Sequence, residues 1–189
     1  MANICDNELR LVALNDKAVT VLNEIRSKIA DNEEDFFKYL CPDENLWGTS
    51  GRDIDFRDLW EYGDENEKEL FLRFDTKWCP PIGAIEYFQS TMRDKGFEFS
   101  ISLTYIEPGY DFIGYYIDGD KMEMSLGELY ARLVKGDDEE AKMLADKMAV
   151  DLQFLAESYM CLFIMDIDDE EPCTCALCLS TAQNTPNQI

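Results

Sequence analysis

The 189-residue chain contains no histidine. That absence removes Ser-His-Asp and Cys-His nucleophile machinery, a histidine general base and histidine metal ligands. Cations are scarce as well: 17 Lys and Arg stand against 40 Asp and Glu, a formal net charge of -23 at pH 7. Such a chain repels nucleic-acid phosphates and anionic membrane, so neither is expected as a direct partner. No apolar run reaches the roughly 18 residues that a membrane span requires, and the opening MANICDNELR lacks the basic and apolar regions of a signal peptide. A cytoplasmic protein is expected. The seven cysteines form no evenly spaced framework, which points to reduced thiols rather than disulfides.

What is present suffices for a sizeable core, at 46% hydrophobic and 12% aromatic residues. The stretch Asn7 to Asn15 alternates like a first strand. Ala18, Val21, Leu22, Ile25 and Ile29 then recur at helical spacing, with Asn15 or Asp16 placed to cap the start. The segment Asp31 to Gly63 is irregular, with a strand expected at DIDFRDLW. Leu70, Leu72 and Phe74 alternate with Phe71, Arg73 and Asp75. A helix follows on Ile82, Ile85, Phe88 and Met92, with Pro81 in its first turn and Gly96 at its end. Phe97 to Tyr105 alternates strictly, EPGYD turns the chain, and Tyr110 to Ile117 returns as a strand in which Gly114 marks a bulge or close packing. Ser125 and Glu128 form a capping box for a helix ending near Gly136. DDEE then opens a longer helix with Ala141, Leu144, Ala145, Met148, Leu152, Leu155 and Tyr159 on one face.

This order predicts an α+β sandwich with helices on one face of a mainly antiparallel sheet over residues 1–120. A helical extension packed on it is expected at 121–165, and an acidic, cysteine-bearing mobile tail at 166–189. Within the first unit, FDTKWCPP before a helix and LTYIEPGYDFIGYYIDG after it carry a resemblance. With NELRLVAL, LCP and LWGTSG, they make Asn7 to Gly119 similar to the YubB-type ferredoxin-like domain proteins of bacteriophages and conjugative plasmids. The most specific positions are Phe74, Asp75, Thr76, Trp78, Pro80 and Pro81, then Tyr105, Glu107, Pro108, Gly109, Phe112 and Gly114. Ser50, Gly51 and Arg52 depart from the family's pattern, which tends to carry a lysine soon after Trp-Gly-Thr. The resemblance implies a ferredoxin-like fold without an iron-sulfur cluster and a mobile-element origin, and it implies no activity.

Acidic clusters are the candidate binding surface: Asp31, Glu33, Glu34 and Asp35; Glu61, Asp64, Glu65 and Glu67; and Asp137, Asp138, Glu139 and Glu140. Asp166, Asp168, Asp169, Glu170 and Glu171 form a further run. Singly, each reads as a solvated surface or a helix start. Together they exceed the net charge of about 2 to 8 in magnitude that solubility requires. Duplex DNA carries one charge per roughly 1.7 Å of axis, and a surface studded with carboxylates presents a comparable field to a basic DNA-binding groove. The expected function is therefore non-enzymatic. A phage or plasmid accessory protein would mimic nucleic acid and inhibit a basic host defence enzyme, such as a CRISPR effector or restriction enzyme, in the host cytoplasm. Trp47, Trp60, Phe36 and Phe37 are candidate anchors, each also explicable as core.

Two alternatives stand beside this one. A small hydrolase or nuclease would hold Mg²⁺ on Asp53, Asp55, Asp75 and Glu107, although Glu107 reads equally well as a turn residue. An oligomerising module would pair two copies through the long C-terminal helix, so a homodimer stays open. No cofactor is expected. Cys173, Cys175 and Cys178 could chelate zinc only with a fourth ligand from Cys161, Cys79 or Cys41, and they read instead as free thiols. Cys79 has no base to activate it and only Lys77 as a neighbouring cation, so FDTKWCPP reads as a folding corner.

Overall fold

Residues 5, 7, 9, 11 and 13 of the first strand share one parity, and each is buried against the core. A computed structural model describes residues 4–31, 38–47, 68–107 and 111–155. Along them run β1 (Ile4–Ala13), α1 (Asp16–Asp31), a 3-10 turn (Glu44–Trp47), β2 (Glu69–Lys77), α2 (Ile82–Asp94), β3 (Phe99–Glu107), β4 (Phe112–Ile117), β5 (Asp120–Met124), α3 (Leu126–Lys135) and α4 (Glu139–Met148). The strands form one sheet in the order β2-β1-β3-β4-β5, with every neighbouring pair antiparallel. β2 and β3 both run against β1, so the α2 connection crosses β1 and the two flanking strands are mutually parallel. The chain is an α+β protein. The strand expected at DIDFRDLW lies outside the described residues.

Local chemistry places the helices as the periodicity predicts. Asn15 caps α1 through its Oδ1, which accepts from Ala18 N at 2.9 Å, and Ala18, Leu22 and Ile25 are fully buried. α2 starts one residue past Pro81, whose carbonyl accepts from Ala84 N and Ile85 N. It ends where Gly96, at φ +79°, lets Phe97 N reach back to Met92 O. Ser125 accepts from Glu128 N at the head of α3, and Gly136 closes it in the left-handed conformation.

Three features go beyond the expectation. First, the helices of residues 1–120 share one face, and the C-terminal helices take the other. α1, α2 and the 3-10 turn pack on the face carrying Leu9, Leu72, Leu103 and Tyr116. α3 and α4 pack on the opposite face, against Ile113, Tyr115 and Met124. Strand alternation forces this split: Ile113 and Tyr115 have the parity opposite to Gly114 and Tyr116, and the long apolar run in β4 serves two cores. Second, Asp118 (φ 51°) and Gly119 (φ +98°) make a two-residue hairpin turn into β5, a strand on the far side of the expected boundary at residue 120. Third, the long C-terminal helix is interrupted. Ala149 adopts φ 51°, Val150 N returns to Ala145 O, and Asp151 caps a new turn by accepting from Phe154 N at 2.7 Å. Leu152 is thereby left 45% exposed while Leu155 is buried, and Tyr159 lies outside the described residues.

Gly114 is required by close packing. A Cβ there would lie 2.5 Å from Tyr105 Oη and 2.6 Å from the Met122 carbonyl oxygen. Gly114→Ala should therefore cost about 1–3 kcal/mol of stability, as overpacking does, read as a lower urea midpoint at unchanged slope.

Candidate functional site

The inward positions of the sheet change character along the strands. Leu11, Leu70 and Ile101 fill one end, but the same parity continued to the other end gives Asn7 and Cys5 on β1, Thr76 on β2 and Tyr105 and Glu107 on β3, with Glu123 exposed on the same face of β5. The core therefore has a polar end beneath the FDTKWCPP corner. Asn7, fully buried, is its hub: Nδ2 donates to the carbonyls of Cys5 and Phe74 and to Thr76 Oγ1, at 2.8, 3.1 and 2.9 Å. Thr76 Oγ1 donates in turn to the Cys79 carbonyl at 2.8 Å, which fixes the corner to the sheet. The Cys5 thiol donates to Asn7 Oδ1. Tyr105 Oη donates to Glu123 at 3.1 Å.

Trp78 forms the outer lip of this corner. Its φ of 73° is uncommon for a bulky residue, the residue is 47% exposed, and Lys77 Nζ sits 5.1 Å from the ring centroid. Pro80 and Pro81 are buried beneath it. Glu107 is not a turn residue but the last residue of β3, 1% exposed. Asp75 faces the opposite side of the sheet, since Phe74 and Thr76 on either side of it point inward with Asn7 and Cys5. The structure thus separates the two described members of the metal-binding alternative, and Asp53 and Asp55 lie outside the described residues.

The thiols here are held in the neutral form. Burial pushes the Cys5 thiol well up, with the Glu107 charge adding to it, and burial followed by the Glu123 charge raises Cys79. Burial and then Glu123 likewise raise Tyr105. Cys79 should alkylate with iodoacetamide at pH 8 more slowly than a free model thiol, and Glu123→Gln should speed it. A rate equal to that of glutathione in the folded protein would contradict this.

Among the expected partner-binding carboxylates, Glu33, Glu34, Asp35, Glu61, Asp64, Glu65 and Glu67 lie outside the described residues. Asp31 closes α1. The cluster at 137–140 is described, and it is engaged internally. Asp138 caps α4, accepting from Ala141 N at 3.1 Å, and receives Arg132 on both oxygens at 2.6 and 2.8 Å. Arg132 also reaches Glu140 at 2.9 Å and Glu128 at 3.3 Å, and Glu139 pairs with Lys142 at 2.9 Å. This cluster clamps α3 to α4. Trp47 is core, 2% exposed, its Nε1 donating to the Cys41 carbonyl at 2.8 Å; Trp60, Phe36 and Phe37 lie outside the described residues. So do Cys161, Cys173, Cys175 and Cys178. Among the described residues, Cys5, Cys41 and Cys79 form no disulfide, and no group of three or more Cys, Asp or Glu is arranged to hold a metal ion. No described helix is long and apolar enough to cross a membrane.

The Arg132 hydrogen bonds, followed by the Ala141 N–H, hold Asp138 at about 2, below its ordinary 3.8. A depressed carboxylate contributes stability that is present above its unfolded pKa and is lost as pH falls through its folded one. The wild-type thermal midpoint should therefore drop between about pH 4 and pH 2 more steeply than that of Asp138→Asn, and superimposable profiles would refute the clamp.

Compared with family models, with curated proteins and with solved structures, the chain matches none.

Proposed function

We propose that the protein is an acidic accessory protein of a phage or plasmid, built on a ferredoxin-like sandwich of the YubB type. In this reading it inhibits a basic host defence enzyme, such as a CRISPR effector or restriction enzyme, by setting carboxylates where that enzyme's groove expects phosphates. The split crossover β2-α2-β3, with β1 between its strands, supports the ferredoxin-like assignment. The observation that carries the function is where the charge lies. In the described body, 24 carboxylates share 15 Lys and Arg, and several are drawn into ion pairs: Arg132 gathers Glu128, Asp138 and Glu140, Arg73 meets Asp6 and Glu8, and Arg10 meets Glu69. The sequence runs 33–35, 61–67 and 166–171 are denser in charge: their 16 residues hold 12 carboxylates and no cation, about half of the net charge of -23. Arg52 and Arg57 are the cations of the segments that hold those runs. Charge needed only for solubility has no reason to be so concentrated, whereas a mimic of a polyanion requires it.

The alternatives draw less support. Asp75 and Glu107 face opposite sides of the sheet, and the α4 residues that a dimer would use, Leu144 and Ala145, are buried within the same chain. Purified restriction endonucleases and CRISPR effectors, titrated at 50 and 500 mM salt, provide the test. Association should compete with duplex DNA and weaken steeply as salt screens it. Absence of binding to the whole panel at low salt, or affinity indifferent to salt, would sink the proposal.

A further inference from the structure

On the sheet face opposite α1 and α2, the end of α4 and the turn after it stand beside β1, β2 and β3 and leave a groove of about 310 Å³. That is the lower end of the size range of ligand pockets. Its floor carries Asp6 and Glu8 from β1 and Arg73 from β2, and its wall is Ile106, Val150 and Phe154. The charges do not balance. One guanidinium serves two carboxylates, close to Glu8 at 3.0 Å but only 3.8 Å from Asp6, and both carboxylates are well exposed, at 45% and 39%. Phe154 is 41% exposed at the rim. An exposed aromatic beside a negatively charged floor suits a long cationic side chain, which lays its methylene stem or guanidinium plane on the ring and its charge on the carboxylates. The outer parity of β1, with Asp6 and Glu8 two residues apart, matches the side-chain period of an extended segment lying along it.

We propose that this groove is where a partner protein docks an extended segment presenting arginine or lysine next to aliphatic side chains. The assignment rests on the reading of the protein as a binder of basic proteins, and it gives that binder a specific anchoring point apart from its acidic runs. A concave site with an aromatic anchor adds position to an otherwise long-range attraction.

The probe is acetyl-Leu-Arg-Leu-Arg-Leu-amide, titrated into the full chain and followed by amide chemical shifts. Acetyl-Leu-Glu-Leu-Glu-Leu-amide serves as the control. The arginine peptide should shift the signals of Glu8, Ile106 and Phe154, and the glutamate peptide should not. Asp6→Asn/Glu8→Gln should weaken binding about fivefold to tenfold, as should Phe154→Ala, while the charge-matched Asp94→Asn/Glu98→Gln, at exposed carboxylates away from the groove, should leave it within about twofold. Thermal midpoints confirm that each variant folds. Two results overturn the assignment: no shifts at millimolar peptide, or equal weakening in the two charge-matched variants. The groove and the function can also fail separately. A defence nuclease bound equally by wild type and Asp6→Asn/Glu8→Gln removes the groove and keeps the inhibitor. A peptide seated in the groove with no nuclease binding at low salt removes the inhibitor and keeps the groove.

Discussion

β1 is hydrogen-bonded on both sides, to β2 and to β3, and its register with them decides the face that almost every other side chain takes. Because the side-chain period in a strand is two, a slip of one residue would send Leu9 and Leu11 outward and Glu8 and Arg10 into the core. With the register held, Leu9 sits between Leu72 and Leu103, and Leu11 between Leu70 and Ile101. α1 and α2 then have one continuous apolar surface to cover. The same register puts Asp6, Glu8 and Arg73 together on the other face, where the groove lies.

The register also explains why the core is polar at one end. Asn7 is buried with its amide donating to three acceptors, one of them the hydroxyl that holds the Cys79 carbonyl. A buried amide is tolerable only when so satisfied, and the arrangement ties β1, β2 and the entry to α2 into one unit. The thiols nearby are raised by burial and by carboxylates, so the corner is chemically quiet. Its exposed Trp78, in an uncommon backbone conformation, is held by this network rather than by its own preference.

Charge divides the molecule in a different way. In the folded body Arg73 and Arg132 are each shared among carboxylates, and these surface pairs are of modest individual value. Arg132 is the clearest case, because it joins the end of one helix to the start of the next through the capping aspartate itself. The strongly acidic runs sit in other segments of the sequence.

Where one local rule sufficed, the chain could be read directly. Alternation marked β1, β2 and β3. The three-four spacing marked α1, α2 and α4, the capping box marked α3, and Asn15, Ser125, Asp138, Gly96 and Gly136 marked helix ends. The hairpin into β5 was signalled by Asp118-Gly119, but the short DKMEM offers little apolar alternation to accompany it. The break at Ala149 had no local signal, since alanine favours helix and only the pull of Leu155 into the second core makes a left-handed turn worthwhile there. Glu107 shows the limit most sharply: beside Pro-Gly it reads as a turn, and only its parity with Tyr105 in a paired strand takes it inward. The sequence by itself determined the elements, the caps and the unusual charge, because each depends on neighbours within a few residues. Tertiary structure alone decided which face each strand showed, that helices cover both sides, and which carboxylates already have an arginine, because those follow from pairing between residues far apart in the chain.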